Sequence, residues 1–409
     1  MSERKVLIVG GGFAGLEVAK TLSSSKDVEV TLLDKNNYHQ FKPLLYQVAT
    51  AALTPDDVAT PFRTFFEKAE NIHFKMEEVT SIDAETKTVH TKEGNTYQAD
   101  TLVLATGASV NFLSVKGADE YALPLYTLDD AERLRAKIIE TFEEADKSPG
   151  KDKTTDCVIV GAGPTGCETA GAIASLFNEF KAEFKDLPSQ ISRIYLVDHG
   201  KSPLKAFSEE SQRYAQEKLS EMGVVLDMQK RVLEVTKDGV LLEDQTFIPS
   251  RLVIWAGGLQ PNTFSLTGPK RLKIEVSADL SWPSNRDIYV LGDAALIRGE
   301  DGEELPSLAS VAVQSGKVAG ENILADCRGK ERMRFFYHDK GIMAMIGKYA
   351  AVAEVGKKRH QLEGPIAFAA WLGVHAALLP SYRQRAEAIL EWGWDYVKGS
   401  RPFQIADKI

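Results

Sequence analysis

The sequence has few cysteines, and their spacing matches no disulfide, zinc or redox motif. Its three cysteines, Cys157, Cys167 and Cys327, are widely spaced and form no C-x-x-C pair. This spacing argues against a disulfide framework, a zinc site and a dithiol redox centre, and it predicts a protein of a reducing compartment. No metal site is expected.

Long apolar runs are absent as well. No stretch approaches the roughly 20 apolar residues that a membrane-spanning helix needs. The first residues, Met1 to Arg4, lack the charged and apolar regions of a signal peptide and lead directly into a strand-like run. The sequence therefore predicts a protein of the cytoplasm or of a membrane face.

The chain has no excess of basic charge, with 49 Lys and Arg against 58 Asp and Glu. The net charge is −9, which argues against nucleic acid as a partner because phosphate binding requires a basic surface. The segment from Val355 onwards is an exception, with eight Lys and Arg against five Asp and Glu. Such a tail suits either attraction to an anionic surface or a solvated basic end.

Glycine is concentrated in two strand–turn–helix segments, the first at the start of the chain. The apolar run Lys5–Val9 leads into a G-x-G-x-x-G turn. In a dinucleotide-binding turn, Gly10 allows the tight bend, Gly12 lets the backbone approach the pyrophosphate, and Gly15 lets the helix lie close to the strand. An ordinary glycine-rich turn is the alternative. Asp34 favours the dinucleotide-binding turn over the ordinary one. It ends the next strand, and its distance along the chain from Gly15 is near that of the acidic residue that binds a ribose hydroxyl in dinucleotide-binding folds.

The second segment repeats this pattern after about 150 residues. The apolar run Cys157–Val160 leads into Gly161, Gly163 and Gly166, and the following strand ends at Asp198. The gap between Gly166 and Asp198 is longer than in the first copy, which predicts that the crossover helix or the loop after it is extended. Two such turns predict two bound dinucleotides.

Three further strand ends suggest how the two copies are connected. The apolar strand Thr101–Leu104 ends in Ala105-Thr106-Gly107, and Leu252–Trp255 ends in Ala256-Gly257. The late strand 287–291 ends in Gly292-Asp293, and we expect it to return to the first sheet. The predicted fold is therefore α/β, with two Rossmann-like domains, the second inserted in the first, and a C-terminal helical segment. Strands near 72–74, 79–83 and 88–91 are expected to form an antiparallel excursion.

These observations give a four-part division of the chain. The first nucleotide-binding domain comprises 1–112 and 273–327, the inserted domain 113–272, and the C-terminal domain 328–409. The polar stretch 147–153 is expected to be an exposed connection.

The C-terminal domain contains the apolar segment 365–380, which is too short to span a bilayer. Aromatic and basic residues such as Tyr382, Arg383 and Trp394 follow it. This composition fits an interfacial membrane anchor, a buried helical hairpin or a homodimer interface.

Taken together, these residues resemble the two-dinucleotide-binding flavoproteins, and three stretches are similar to type II NADH dehydrogenases, the single-subunit NADH:quinone oxidoreductases. The stretches are Asn36–Thr50, Gly161–Glu168 and Phe336–Ala344. The resemblance implies FAD at the first turn, NADH at the second, a quinone acceptor, and a peripheral protein attached by its C-terminal segment to the cytoplasmic membrane face.

The resemblance also implies site residues. The FAD residues would be Gly10, Gly12, Phe13, Ala14, Gly15, Asp34, Lys35, Ala105, Thr106, Gly107, Gly292, Asp293, Ser310, Val311 and Ala312. The NADH residues would be Gly161, Gly163, Pro164, Thr165, Gly166, Glu168, Asp198, Ala256 and Gly257. The catalytic residues would be Glu168, Gln314 and Lys340.

Two of these roles have simpler alternatives. Glu168 is either a proton relay or an acid stabilised by the helix dipole, and Lys340 either approaches the flavin or is a surface lysine. Asp198 should repel the 2′-phosphate of NADPH and favour NADH, although His199 and Lys201 would partly offset it.

The sequence departs from the family in one helix. Where the family has A-Q-x-A-x-Q-Q-G, this chain has serine at 310 and 315 in the stretch 309–316, so Gln314 is the one glutamine of the pattern that is kept. The small residues of this helix allow either a planar ring or backbone to approach, or tight packing of the helix on a sheet. The main prediction is an NADH:quinone oxidoreductase. A soluble NAD(P)H-dependent flavoprotein with another acceptor, and a slow redox sensor, are the alternatives.

Overall fold

The computed structural model describes residues 3–147, 155–185, 192–267, 272–356, 358–398, 401 and 404–405. Within these ranges the chain forms two compact units. Unit 1 contains the described residues of 1–40, 60–109 and 259–339, and unit 2 contains those of 41–59, 110–258 and 340–409. The exposed connection predicted at 147–153 lies outside the described residues from 148 onwards.

The helices are α1 (Phe13–Leu22), α2 (Leu45–Ala49), α3 (Pro55–Val58), α4 (Phe62–Phe65), α5 (Ala118–Tyr121), α6 (Leu128–Lys147), α7 (Pro164–Glu183), α8 (Glu209–Glu221), α9 (Ala309–Cys327), α10 (Gly364–Leu378) and α11 (Tyr382–Lys398).

The strands are β1 (Arg4–Val9), β2 (Val28–Asp34), β3 (Tyr38–Gln40), β4 (Ala59–Pro61), β5 (Ile72–Met76), β6 (Val79–Asp83), β7 (Thr88–Thr91), β8 (Thr96–Gln98), β9 (Thr101–Leu104), β10 (Ala108–Val110), β11 (Leu123–Pro124), β12 (Cys157–Val160), β13 (Ile194–Asp198), β14 (Val224–Met228), β15 (Val232–Thr236), β16 (Gly239–Leu242), β17 (Phe247–Pro249), β18 (Leu252–Trp255), β19 (Leu259–Pro261), β20 (Ile274–Glu275), β21 (Ser281–Trp282), β22 (Asn285–Val290), β23 (Ala295–Leu296), β24 (Gly341–Gly347), β25 (Ala350–Val355) and β26 (His360–Glu363).

Unit 1 is built on a six-stranded sheet in the order β21-β22-β9-β1-β2-β5. Its inner strands are apolar and buried on both faces, as expected for a parallel sheet covered by helices. Val6 lies level with Val30 on one side and with Thr101 on the other, and Ile288 lies level with Leu102. The late strand β22 therefore returns to the first sheet, as predicted.

The antiparallel excursion was predicted to begin too early. β5 pairs in parallel with β2, with Val30 level with Ile72, so it is part of the main sheet. Only β6, β7 and β8 form the antiparallel excursion. The short run Ile72–Met76 has no pattern that distinguishes a parallel edge strand from an antiparallel one.

Unit 2 contains a second parallel sheet, in the order β11-β18-β12-β13-β14. The crossover helix α7 is long, which is one of the two predicted forms of the extension, and its aromatic end packs inside the unit. The ring of Phe142 on α6 lies 4.8 Å from that of Phe177 and 4.7 Å from that of Phe180. The two Rossmann-like folds of the prediction are thus confirmed.

The C-terminal part of unit 2 contains a sheet that the sequence prediction missed. β24, β25 and β26 form an antiparallel sheet before helices α10 and α11. The sheet lies against α7, since a Cβ on Gly171 would be 1.7 Å from the carbonyl oxygen of Ile346. Trp371 and Trp392 on the two helices are buried. Among the described residues, no helix combines the length and apolar character needed to cross a membrane.

The predicted four-part division stays a prediction. The two units follow other boundaries, because the described residues of 259–272 belong to unit 1 and those of 340–409 belong to the same unit as those of 110–258.

Candidate dinucleotide-binding sites

The first glycine turn follows β1, and its inner positions leave no space for a side chain. Gly10 has a φ of +98°, and a Cβ on it would lie 2.3 Å from the carbonyl oxygen of Ala105. A Cβ on Gly15 would lie 1.9 Å from the carbonyl oxygen of Gly10. Gly12 is exposed, and a Cβ there would meet nothing within 4 Å. The turn is therefore tight on its inner side and open at Gly12, as a pyrophosphate cradle requires.

The helix that follows this turn begins without a side-chain cap. Gly12 is the N-cap of α1, no side chain accepts a hydrogen bond there, and the first turn has no acidic residue. The first N–H groups of a helix and its dipole attract an anion. The donor set thus fits the pyrophosphate of FAD.

Asp34 holds the same turn from the side. Its carboxylate accepts hydrogen bonds from the N–H of Gly11 at 2.7 Å and from the N–H of Asn36 at 2.8 Å. A carboxylate has about four acceptor positions, so the ribose role predicted for Asp34 is compatible with these bonds. Lys35, the next residue, is exposed.

Two further predicted strand ends belong to unit 1. Asn262 makes two hydrogen bonds to the residues that follow β9. Its side-chain amide donates to the carbonyl oxygen of Thr106, and its backbone N–H donates to the carbonyl oxygen of Gly107. A Cβ on Gly292 would lie 3.7 Å from the Cβ atoms of both Ala14 and Ala312. The structure therefore brings these three predicted FAD residues together. Asn262 was missed, because no local pattern distinguishes it from other loop asparagines.

The helix α9 uses its polar side chains within unit 1. The hydroxyl groups of Ser310 and Tyr337 are 2.9 Å apart. The amide of Gln314 donates to the carbonyl oxygen of His338 at 3.0 Å and accepts from its N–H at 2.9 Å. Ser315 is fully buried and donates to the carbonyl oxygen of Ala312 in its own helix. Ser315 therefore faces the packed side of the helix.

The start of α9 also suits negative charge. The helix has no side-chain cap and no acidic residue in its first turn. Lys273 donates to the hydroxyl of Ser307 at 2.9 Å, one residue before the N-cap. One small pocket lies at this place, and its lining includes Lys273, Gly292, Asp293, Ser307 and Val311. Lys273 is also paired with Glu304 at 2.7 Å and Asp293 is acidic, so the donors here that suit the negatively charged part of a reduced flavin are the uncapped N–H groups of α9.

The second glycine turn, in unit 2, repeats the geometry of the first. Gly161 has a φ of +104°, and a Cβ on it would lie 2.7 Å from the carbonyl oxygen of Ala256. A Cβ on Gly166 would lie 1.8 Å from the carbonyl oxygen of Gly161, whereas one on Gly163 would meet nothing within 4 Å. The predicted residues Ala256 and Gly257 therefore lie against this turn.

The donors at this turn also match those at the first. α7 begins at Pro164 with Gly163 as its N-cap, without a side-chain cap or an acidic residue in the first turn. Asp198 accepts from the N–H of Ala162 at 2.7 Å and from that of Gly200 at 2.6 Å. Pro164 and Thr165 are exposed at the mouth of the turn.

Glu168 lies on α7, just beyond this turn, and its carboxyl is largely surrounded by protein. Burial raises the pKa of Glu168 to about 8, while hydrogen bonding from the Met345 N–H, at 3.2 Å, and the nearby Trp371 side chain act in the opposite direction. A helix dipole would lower the pKa of an acid near the N-terminus. Burial and the helix dipole thus act in opposite directions on this carboxyl, and the role of Glu168 stays a prediction.

Aromatic and amide side chains surround the same region of unit 2. Trp392 donates to the side-chain oxygen of Gln47 at 2.7 Å, and Gln47 donates to the hydroxyl of Tyr46 at 3.1 Å. Burial and the nearby Glu168 carboxyl raise the pKa of Tyr46 well above its ordinary value. Tyr46 and Gln47 lie in the stretch 36–50 that resembles the family, but the sequence predicted no role for either residue.

The other predicted catalytic residue of unit 2 is Lys340, which is exposed just before β24. Its role stays a prediction. Within the described ranges, no group of three or more His, Cys, Asp or Glu side chains is arranged to hold a metal ion.

Two Rossmann folds with open glycine turns define the chain as a two-dinucleotide α/β protein. Residues 4–316 match the family model of the pyridine nucleotide-disulphide oxidoreductases. The chain is 32% identical to the type II NADH:quinone oxidoreductase Ndh of Mycobacterium tuberculosis, over 95% of this chain and 87% of that protein. It is 28% identical to the type II NADH:quinone oxidoreductase of Staphylococcus aureus, over 87% of this chain and 90% of the relative. The chain therefore belongs to the type II NADH:quinone oxidoreductases, within the pyridine nucleotide-disulphide oxidoreductase family.

A solved structure supports the fold. The NDH2 of Plasmodium falciparum, determined in complex with NADH, superposes with a TM-score of 0.90 at 20% identity, over 98% of this chain and all of that one. At this identity the likeness shows the fold.

Proposed function

We propose that this chain is an FAD-dependent enzyme that oxidises NADH and reduces a quinone. The observation that carries the proposal is the pair of open glycine turns, each of which leaves room for a pyrophosphate and offers it uncapped helix donors. The balanced reaction converts NADH, a proton and a quinone to NAD⁺ and a quinol. Bound FAD would supply a centre that accepts a hydride and passes on an electron pair.

The two turns divide the binding work in this proposal. Gly10, Gly12 and Gly15 with the start of α1 would hold FAD, and the uncapped start of α9 would stabilise negative charge on the reduced ring. Gly161, Gly163 and Gly166 would hold NADH, with Asp198 favouring it over NADPH.

Glu168 would hold the proton that the reaction takes up. With a pKa of about 8, its carboxyl is mostly protonated near neutral pH and can still release the proton. Its place on α7, just beyond the second turn, supports this role. The cysteines offer no alternative route for electrons, because they form no C-x-x-C pair and burial raises the thiol pKa of Cys157 and Cys167.

The C-terminal helices provide the membrane contact in our proposal. α10 carries one titratable residue, the buried His375, and it exposes Ile366, Val374 and Leu378. α11 exposes a second apolar group, which consists of Tyr382, Ile389, Leu390 and Trp394. We define these seven residues as the apolar patch. A patch of this kind on a soluble surface marks an interaction site. We propose that it attaches the protein to the cytoplasmic face of the membrane.

Steady-state kinetics with a quinone panel tests the proposed function. We expect turnover of NADH with short-chain quinones and a much lower kcat/KM for NADPH. Efficient reduction of a protein or other small-molecule acceptor, with no quinone in the panel turned over, would support the soluble flavoprotein reductase instead. Slow bleaching of the flavin by NADH in stopped-flow mixing would support a sensor.

A further inference from the structure

Gly11, the variable residue of the first turn, packs against an aromatic side chain. A Cβ on Gly11 would lie 2.1 Å from the ring of Phe62. Phe62 is itself fully buried, with its ring 4.9 Å from that of Phe74. The turn is thus backed by a fixed aromatic wall at this position.

The peptide groups around Gly11 are bound at both ends. Its N–H donates to the carboxylate of Asp34 at 2.7 Å, and its carbonyl oxygen lies 3.0 Å from Nδ1 of His39. A carbonyl oxygen only accepts hydrogen bonds, so Nδ1 of His39 carries the proton in this contact.

The His39 contact has a consequence for the next residue. A trans peptide is planar, and its C=O and N–H point in opposite directions. A hydrogen bond that fixes the carbonyl of Gly11 toward His39 therefore fixes the N–H of Gly12 away from it. Gly12 is the exposed N-cap of α1, and its N–H is among the donors available to a pyrophosphate.

The imidazole has little freedom to leave this position. His39 is 3% exposed. Phe13 meets its ring edge to face at 5.2 Å and Phe65 at 6.1 Å. The donor is therefore positioned before any ligand arrives, which reduces the ordering cost of binding.

The second turn provides an internal comparison. Ala162, which corresponds to Gly11, donates to Asp198 at 2.7 Å, and its carbonyl oxygen accepts from the backbone N–H of Leu204 at 2.8 Å. Both turns thus hold the N–H and the carbonyl of the equivalent residue. At the second turn the Cys167 thiol also lies 3.4 Å from the Ala162 carbonyl oxygen, beside the backbone donor. At the first turn the carbonyl contact is made by the imidazole of His39, which a substitution can remove.

We infer that His39 is a positioning residue for the pyrophosphate of FAD: its Nδ1–H holds the Gly11 carbonyl and thereby aims the Gly12 N–H at the cofactor. The inference rests on the proposed binding of FAD at the first turn. It adds a role that the glycine pattern itself does not contain.

The test compares two variants of the holoenzyme with nearly the same side-chain shape. His39→Asn keeps an N–H donor near the position of Nδ1, whereas His39→Leu removes it. The rate of FAD release after dilution, followed by flavin fluorescence, should rise about tenfold in His39→Leu and less than about twofold in His39→Asn. The KM for NADH, measured with saturating FAD, should not change, because the second turn does not depend on His39.

The exposed His73 provides a control, and His73→Leu should release FAD at the wild-type rate. If His39→Leu does not fold, His39→Asp, which has the shape of Asn without the N–H, takes its place. Equal release rates in His39→Asn and His39→Leu would overturn the inference, because packing alone would then explain the residue. If the wild-type protein failed to retain FAD, the proposed function would fall first, and the two failures are thereby distinguishable.

Discussion

Glu168 illustrates how a single carboxyl connects packing with chemistry. It sits on the helix that follows the second glycine turn, where burial raises its pKa to about 8. A surface acid would be ionised at neutral pH, and a dipole-stabilised acid even more so. The same burial that makes Glu168 a suitable proton carrier also makes its ionisation costly for the fold.

The raised pKa of Glu168 predicts a pH-dependent stability. An unfolded glutamate has a pKa of about 4.3. Between that value and about 8 the folded state binds more protons than the unfolded state, so the free energy of unfolding falls as pH rises. The contribution is fully present below the unfolded pKa and is lost as pH rises through the folded one.

Glu168→Gln removes this titration, and we expect its Tm relative to the wild type to rise from pH 6 through about pH 8 and to level off towards pH 9. A difference of 1 kcal/mol corresponds to roughly 1 °C for a chain of 409 residues. Calorimetry of both proteins across this pH range measures the effect. A constant Tm difference between the two proteins would contradict the prediction.

The two serines of α9 should respond differently to glutamine, the residue that the family pattern suggests for each. Ser315 is fully buried, and a longer amide there would overpack the helix interface at a cost of about 1–3 kcal/mol. Ser310 is half-buried and bonds to the hydroxyl of Tyr337.

We therefore expect Ser315→Gln to lower Tm, and Ser310→Gln to leave Tm nearly unchanged while altering the KM for quinones. Thermal unfolding and the quinone panel, run on both variants, measure these effects. A stable Ser315→Gln protein with an altered quinone preference would show that residue 315 faces the site.

At the scale of elements, the small residues of α9 serve helix packing. A Cβ on Gly316 would lie 2.4 Å from the carbonyl oxygen of Ala14, and one on Gly320 would lie 2.7 Å from the Cβ of Thr21. The sequence left open whether a planar ring or backbone approaches this face or whether it packs on a sheet, and at Gly316 and Gly320 the approaching element is the helix α1.

Two helical glycines allow a matched test of this packing. Gly316→Ala forces the backbone of α1 to shift, so we expect a loss of about 1–3 kcal/mol and weaker FAD retention. Gly373→Ala on α10 meets nothing within 4 Å, so we expect a gain of about 0.5–1 kcal/mol from helix propensity. Denaturant unfolding of both variants measures the changes. If Gly316→Ala were as stable as wild type, close packing of α9 on α1 would not be required.

At the scale of the whole molecule, the sequence predicted the parts that depend on local pattern. The glycine turns could be recognised because residues such as Gly10 and Gly161 must adopt a positive φ beside a neighbouring strand. The contacts of His39 and Asn262 could not, because they join residues that are distant in the chain and follow no spacing rule. The sheet β24–β26 was missed because β24 and the alanine-rich β25 are short apolar runs, which periodicity does not distinguish from buried helix.

The apolar patch gives the last prediction, and its design depends on the same long-range packing. Deleting the chain from Gly364 would remove the patch together with the buried residues Trp371 and Trp392, so a loss of binding would have two explanations. Point variants avoid this, because Ile366 and Leu390 are each 71% exposed.

Removing one buried leucine or isoleucine side chain from an apolar phase costs about 1.5–3 kcal/mol, so Ile366→Gln and Leu390→Gln should each weaken vesicle binding about tenfold or more. Phe247→Gln, at a residue 47% exposed on β17, is the control and should bind as the wild type does. Cosedimentation with vesicles of phosphatidylcholine and phosphatidylglycerol measures the binding, and analytical ultracentrifugation of the same variants reports dimers. If a variant bound vesicles unchanged but no longer formed a dimer, the apolar patch would be a contact between two copies of the chain. Membrane binding and dimerisation would both bury the same exposed apolar side chains, so the two measurements are needed to distinguish them.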